Sequence, residues 1–579
     1  MKHIIFAYAL LWCTIANAEI TETATSAVKN MGIGWNLGNT LDANGQLKST
    51  NPDDATYWNC QGLESETYWG QYTTTAGLFN MFKDAGFGAI RVPVTWYNHM
   101  DVNGKIDEAW MARVHAVVDY VINSGLYCII NVHHDTGADG SNNVSWIKAD
   151  EANYNKNKTR YEYLWKQIAN EFKDYDEHLL FEGYNEMLDT KSSWCFASFN
   201  TTGQYNATIA NSAYKGLNSY AQSFVNAVRS TGGNNASRNL IVNTYAAACG
   251  TGTWNSHLQD PLKFMNLPKD DVSGHIIFEV HSYPAIANKN SQGNIVNRTI
   301  ADIKNEVDDL MSTLSKSLAS KGAPVIIGEW GTSNVDAGNG MTDYDARRSL
   351  MLSFADYFVK KAKENNIGTF YWMGLSNTIC RIMPAFDQAD LAECISKAYH
   401  GSTYNGKFPI PDKISSYVCF EGDKLINWGN GISIPAELFK FSESSITLRL
   451  SYKQESSSDD IQFMLGDWSE GISFKVDGKT YKSDFHPISH YSTAVGTEHV
   501  TDITFDLTTF NKLTQKGLVI HGIGVRLRKA QILAEGSTGI NTILRPQSES
   551  HIYNISGQRV QTPCKKGLYI INGKKTLVK

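Results

Sequence analysis

The sequence has no CxxC pair and no close grouping of Cys with His, although it holds nine cysteines among 579 residues. A structural zinc site needs such ligands at short spacing, so that class is set aside. It also lacks a stripe of Lys and Arg in its body, and 52 basic against 58 acidic residues leave a formal net charge of −6. A nucleic-acid partner is therefore not expected. The N-terminal apolar run is too short to span a bilayer as a helix, and no later stretch is long and apolar enough for one. No glycine-rich phosphate-binding turn follows the first strand pattern, which argues against a doubly wound nucleotide-binding sheet.

What is present is ordinary folded composition, 42% hydrophobic and 19% charged, with an unusual wealth of aromatics: 14 Trp and 28 Tyr. Their flat apolar faces and polar edges suit sugar rings as well as cores. The length exceeds a single core, so two or three domains are expected. Lys2, an apolar run from Ile4 to Ile15 and then Ala16-Asn17-Ala18 form the pattern of a secretory signal peptide over residues 1–18. Export would permit disulfides, but the wide spacing of the eight remaining cysteines, Cys60 to Cys564, fits buried thiols equally well.

From Met31 onward strand-like apolar runs alternate with helical patterns. The strand candidates are Gly32–Gly38, Ala89–Val94, Tyr127–Val132, His178–Glu182, Asn239–Val242, His275–Val280, Pro324–Gly331 and Gly368–Trp372. Between them, helices are predicted over Thr74–Asp84, Glu108–Asn123 and Tyr161–Lys173. Eight strands alternating with helices over about 350 residues give an α/β fold, a (β/α)8 TIM barrel spanning residues 19–400. After a linker-like stretch the grammar changes to short alternating runs. Residues 410–535 are read as an all-β, jelly-roll-like sandwich, and 540–579 as a short β segment. Trp428 and Trp468 are assigned to the sandwich core in preference to a sugar-stacking surface.

In such a barrel the working residues project from the C-terminal strand ends. Those ends carry Arg91, His133 and His134, Asn185 and Glu186, His281 and Tyr283, Glu329, and Trp372. Two carboxylates on different strands, among Arg, His, Asn and aromatics, suit cleavage of a glycosidic bond. The rival reading is metal-assisted hydrolysis, with His133 or His134 joined by Asp135 or His281.

Gly34-Trp35-Asn36-Leu37-Gly38-Asn39-Thr40-Leu41-Asp42-Ala43, Ile90-Arg91-Val92-Pro93-Val94-Thr95-Trp96, Asn131-Val132-His133-His134-Asp135, Phe181-Glu182-Gly183-Tyr184-Asn185-Glu186, Val280-His281-Ser282-Tyr283-Pro284 and Ile327-Gly328-Glu329-Trp330-Gly331 occur in this order. The series resembles the glycoside hydrolase family 5 endoglucanases over residues 25 to 385. The resemblance implies a retaining endo-β-1,4-glucanase with Glu329 as nucleophile and Glu186 as acid/base. Arg91 and Tyr283 would then bond Glu329, and His281 would lie close to Glu186. Asn185 would bind the sugar 2-hydroxyl, His133 and His134 its other hydroxyls, Trp372 would be its platform, and Asn39 would support the site. No metal and no cofactor are needed for this chemistry. The partner is a β-glucan; cellulose, xyloglucan, mixed-linkage glucan and glucomannan stay open, and a non-catalytic sugar-binding barrel is the alternative from another class. A monomer is expected.

Met187 stands where many members have Pro, and Met373-Gly374 where others carry polar or aromatic groups, both read as lying near the cleft. Lys191 to Tyr214, with Trp194 and Phe196, is read as an insertion, either a subsite wall or a surface loop. The tail Ile552–Val560 and Lys566–Lys575 resembles the C-terminal sorting signals of Bacteroidetes secreted proteins; otherwise it is a final β-hairpin. The sorting reading implies a Gram-negative source, a secretion machinery as partner and a secreted or cell-surface location.

Overall fold

The computed structural model describes residues 20–534, apart from 141–142, 194–204, 252–256, 412–415, 441–444, 457–459 and 484–494, together with four short strands between 552 and 578. The signal-peptide segment, Trp194 and Phe196 lie outside the described residues.

Ten strands come first: β1 (Ile33–Asn36), β2 (Ala89–Val92), β3 (Tyr127–Asn131), β4 (Leu179–Glu182), β5 (Leu240–Asn243), β6 (Ile276–Ser282), a small hairpin of β7 (Ala287–Lys289) and β8 (Ile295–Asn297), β9 (Val325–Trp330) and β10 (Gly368–Tyr371). All but the hairpin close into one barrel in the order β1-β10-β9-β6-β5-β4-β3-β2, each neighbour parallel. These are the eight strands expected from the sequence. Buried on both faces, they read as continuous apolar runs.

Side chains alternate across a strand, and in this barrel the alternation sorts them into layers. Ala89, Ile129, Leu180, Ile241, Ile277, Ile326 and Phe370 form one apolar cluster with Ala24, Ala27, Val28 and Met31 of the helix Ala24–Met31, which plugs the N-terminal mouth. That helix, capped by Thr23 accepting from Ser26 N–H, is absent from the predicted elements. Two residues further along the strands, the same interior face carries Asn36, Arg91, Asn131, Glu182, Asn243 and Glu279, all fully buried. A polar layer therefore sits directly on an apolar one. In β9 the equivalent position is Gly328, where an added Cβ would come within 1.6 Å of Glu279 Oε1.

The helix Glu108–Asn123 has the predicted limits, with Asp107 capping Trp110 N–H. The next predicted helix starts ten residues earlier than expected, as Glu151–Glu171, because its polar first turns show no apolar stripe and only the cap at Asp150 marks them. The supposed insertion is shorter than read: Ala207 to Tyr214 are the opening turns of the helix Ala207–Arg229, capped by Asn206.

Beyond the barrel, β11 (Ser416–Ile426), β12 (Ile432–Ile434), β13 (Ile446–Gln454), β14 (Asp460–Leu465), β15 (Ser473–Val476), β16 (Lys479–Lys482), β17 (Glu498–Thr504), β18 (Leu518–Ile523) and β19 (Val525–Ala534) make two sheets, β11-β19-β13-β17-β15-β16 and β12-β18-β14. They enclose a second core that runs on into Cys380, Ile382, Met383 and Ala385 from the segment after β10. The helix Leu507–Lys516, with Asp506 capping Thr509 N–H and Phe510 and Leu513 inward, interrupts what was read as uniformly strand. Trp428 and Trp468 are not core residues; they ride on turns and are 47% and 42% exposed. At the tail, β20 (Ile552–Asn554), β21 (Arg559–Val560), β22 (Gly567–Ile571) and β23 (Lys574–Val578) form a separate antiparallel sheet, with Ile571 opposite Lys574. Among the described residues no helix is long and apolar enough to cross a membrane.

The polar layer makes Gly328 irreplaceable. Gly328→Ala must displace the buried Glu279 carboxylate, and overpacking of this kind costs about 1–3 kcal/mol. Urea unfolding followed by circular dichroism should show a lowered midpoint. An unchanged midpoint would mean that Glu279 has room to move.

Candidate active site

Arg91 has no solvent exposure and spends every donor inside the barrel. Its Nε and Nη2 donate to the two oxygens of Glu182 at 2.7 and 2.8 Å, Nη2 also to Asn185 Oδ1 at 2.8 Å, and Nη1 to Asn36 Oδ1 at 3.0 Å and Glu329 Oε1 at 2.8 Å. Glu279 Oε1 stands 3.3 Å from Nε. Burial alone would lower the pKa of this guanidinium, but Glu182, Glu279 and Glu329 hold it well above the ordinary value. The bidentate Arg91 outweighs burial at Glu182 as well and holds that carboxyl below its usual range.

Glu329 follows Gly328 on β9 and, through a register shift after Val280, stands opposite His281 on β6. Its second oxygen accepts from Tyr283 Oη at 2.6 Å and lies 3.4 Å from His281 Nδ1. Burial and the Glu329 charge push the Tyr283 hydroxyl well above its ordinary pKa, so it remains a donor. His281 Nδ1 donates to Glu186 Oε1 at 2.8 Å, and Nε2 lies 3.3 Å from Glu279 Oε1. Burial would favour neutral imidazole; Glu329, Glu186 and Glu279 outweigh it and raise the pKa to about 10. His281 is a cation at neutral pH. Glu279 itself is pushed up, by burial and by the charge of Glu182. One oxygen of Glu186 and one of Glu329 lie within 4.8 Å of each other.

On the opposite wall, Asn131 is fixed by Val94 N–H donating to Oδ1 at 3.0 Å, while its Nδ2 reaches Glu182 Oε1 and His133 Nδ1, each at 3.0 Å. His133 Nδ1 therefore accepts and Nε2 carries the proton. Burial, with His134 and Arg91 near, keeps His133 neutral, its pKa well below the ordinary value. Burial lowers His134 to about 4. The His133 and Trp372 rings face each other at 5.9 Å and 6°; Trp372 is half-buried and its backbone N–H donates to Trp330 O at 2.9 Å. Arg91 takes the carbonyl end of Asn185, which leaves the amide nitrogen as its donor.

The structure thus brings Arg91, His133, Asn185, Glu186, His281, Tyr283, Glu329 and Trp372 to one mouth. His134 stands at the rim, beside Trp69 at 5.2 Å. Asn39 holds a left-handed turn, φ 60°, with its N–H on Asp42 Oδ2 at 3.1 Å; it shapes the loop after β1. Met187 is fully buried in the hydrophobic core and not in the cleft. Asp135 is spent on Trp96 N–H, Tyr97 N–H and Trp146 Nε1, at 2.8, 3.0 and 2.6 Å. Both ring nitrogens of His281 are likewise engaged, Nδ1 with Glu186 Oε1 at 2.8 Å and Nε2 with Glu279 Oε1 at 3.3 Å.

Asn36, Asn131, Glu182, Asn243 and Glu279 are absent from the sequence-predicted site. The signal that finds them is a polar residue at every second position beyond an apolar one, repeated around the barrel.

The profile of the cellulase family, glycosyl hydrolase family 5, matches residues 48–377. Endoglucanase B of Neocallimastix patriciarum is 35% identical over 373 residues, 63% of this chain and 68% of that protein. Endoglucanase A of Clostridium longisporum is 33% identical over 359 residues, 61% of this chain and 60% of that protein. Among solved structures, a GH5-4 broad specificity endoglucanase from an uncultured bacterium is 60% identical, with a TM-score of 0.60, over 66% of this chain and 96% of that one. A family 5 enzyme from Prevotella bryantii B14, in complex with a xyloglucan tetradecasaccharide, is 41% identical, with a TM-score of 0.55, over 66% of this chain and all 100% of that one. With that profile spanning more than half of its length, the chain belongs to glycosyl hydrolase family 5.

Proposed function

We propose that this chain is an exported, retaining endo-β-1,4-glucanase that accepts xyloglucan as well as unsubstituted glucan. The observation that carries the mechanism is the gap between the carboxylates. Retaining enzymes hold the two carboxyls about 5–5.5 Å apart, and inverting ones leave about 6.5–9.5 Å for a water. Oxygens of Glu186 and Glu329 within 4.8 Å of each other support the retaining arrangement.

In the first step a Glu329 oxygen attacks the anomeric carbon while Glu186 protonates the departing glycosidic oxygen. With Oε1 of Glu186 bonded to His281, the proton it gives up comes from Oε2. Arg91 on one oxygen of Glu329 and Tyr283 on the other keep the nucleophile aimed. In the second step Glu186, now a carboxylate beside cationic His281, takes a proton from water as the water displaces Glu329. The Asn185 amide is the donor for the 2-hydroxyl, and Trp372 opposite His133 gives the sugar an apolar face. The broader substrate range is supported by the 60%-identical broad specificity endoglucanase and by the xyloglucan held by the Prevotella enzyme.

Glu186→Gln should lower kcat on soluble cellulose derivatives about 10²–10⁴-fold, the usual worth of a general acid. It should lose much less on an aryl cellobioside whose leaving group needs no proton. Glu329→Gln should lose both activities with its melting transition intact, and activity surviving in it would sink the assignment. Proton NMR of the first product should show the β-anomer; an initial α-anomer means inversion. Product sizing on xyloglucan and on carboxymethyl cellulose tests endo action.

Because His281 is raised from 6.5 to about 10, the native state binds its proton more tightly than the unfolded chain. The resulting stability is complete below the unfolded value and disappears as pH rises through the folded one. The difference in urea midpoint between wild type and His281→Gln should be constant below about pH 6 and shrink steadily towards pH 10. A difference independent of pH would show that His281 is neutral.

Export rests on residues 1–18 and on the sorting-like tail. Removing residues 540–579 should trap the protein in the periplasm of its host without lowering its specific activity, and unchanged delivery to the outside would remove the tail from the proposal.

A further inference from the structure

The small sheet β12-β18-β14 buries one face in the sandwich core through Ile434, Ile461, Phe463, Leu465, Leu518 and Ile520. By alternation its other face carries Gln462 and His521, which stand opposite each other in the β14–β18 ladder. Both are fully buried, yet among the described residues neither ring nitrogen of His521 and neither amide atom of Gln462 has a hydrogen-bond partner. Four unsatisfied polar atoms at one spot are costly and call for an explanation.

Two indoles flank that spot. The Trp428 ring lies 5.1 Å and the Trp468 ring 5.0 Å from the imidazole of His521. Both stay largely exposed, at 47% and 42%. Trp428 sits in the tight turn closed by Asn430 N–H on Asn427 O at 2.9 Å. Trp468 is held at φ 59°, a left-handed conformation that a bulky residue adopts only under strain. Strain that presents a large apolar ring to solvent does nothing for the core, and points to a use for the ring.

We propose that this face is a second β-1,4-glucan site, where Trp428 and Trp468 stack on successive pyranose rings and in doing so draw back from His521, so that the hydroxyls reach His521 and Gln462, which solvent does not reach in this structure. A sugar hydroxyl both donates and accepts, so one class of ligand satisfies an amide and an imidazole together. An anion is disfavoured: Lys516, beside Trp468, is already paired with Asp467 at 2.8 Å. The choice of glucan rests on the reading of the barrel site; the platform itself does not. Tethered to the barrel, it would raise the local concentration of polymer at the cleft.

The test uses the full-length chain carrying Glu329→Gln, so that polymer survives the measurement. Its migration in native gels containing hydroxyethylcellulose, xyloglucan or galactomannan is compared with that of the same protein carrying Trp428→Ala and Trp468→Ala. Loss of stacked aromatics should raise the apparent Kd for the two glucans at least about tenfold. Gln462→Leu, which keeps both indoles, should weaken retention as well and stands in if the double variant melts early. In the otherwise wild-type chain the indole variants should hydrolyse aryl cellobioside at the unaltered rate, which separates this site from the barrel. Retention by glucans that neither set of substitutions changes overturns the proposal, and so does retention by galactomannan alone. Should the barrel fail to cleave β-glucans while the gel shift remains, only the reading of the barrel falls.

Discussion

A guanidinium with no access to water sits in the middle of the barrel, and almost everything around it follows from having to keep it there. Arg91 in an apolar interior would be ruinous alone. It is tolerable because Glu182 meets it with both oxygens and because Asn36, Asn185 and Glu329 absorb the remaining donors. Those partners must themselves reach the barrel axis, so they occupy the interior positions of four different strands, β1, β4, β6 and β9, or their ends. Space for the last of them, Glu279, exists only because β9 has no side chain at Gly328. One buried cation thus dictates residue type around most of the barrel.

The same arrangement explains how two carboxylates a few ångströms apart acquire opposite duties. Glu329 is gripped by Arg91 on one oxygen and by Tyr283 on the other, both donors, and is 6% exposed at the side chain. Glu186 is 20% exposed and receives one bond, from His281. In the proposed reaction the first, held on both oxygens, attacks, and the second, held on one, carries a proton in either direction. His281 links them, and its charge is maintained by Glu279 from behind as well as by the pair in front. Removing Glu279 would therefore act on both carboxylates at once, although it touches neither.

The barrel was legible in the sequence because each of its eight strands is a short apolar run ending in a polar motif. The site was legible for the same reason: strand ends are where the pattern breaks. What escaped lies where no break occurs. Glu182 and Glu279 read as the last polar residues of ordinary strands until alternation is followed around the whole barrel, a relation between strands that no single run displays. The helix Ala24–Met31 escaped because its inward face is mostly alanine, small enough to enter the barrel mouth and too weak to mark a stripe. The helix Glu151–Glu171 was shortened because its first turns are solvated. Trp428 and Trp468 were assigned to the core on residue type, the weakest of grounds for tryptophan, whose apolar body and polar edge suit surfaces too.

Barrel and sandwich use opposite means to present their aromatics. Trp372 emerges from a strand anchored in a closed, fully paired sheet, and its ring is set against His133, whose own tautomer is fixed through Asn131. Chemistry at an anomeric carbon requires that rigidity, since a displacement of an ångström misaligns attack and protonation. Trp428 and Trp468 stand on turns, supported by one imidazole and by a backbone held in an unfavourable region. A surface that only has to hold a polymer tolerates more freedom, provided that the rings face outward. The shared core between the segment after β10 and the sandwich then matters for function, because it couples a loose grip on the polymer to a site that must be exact about one bond in it.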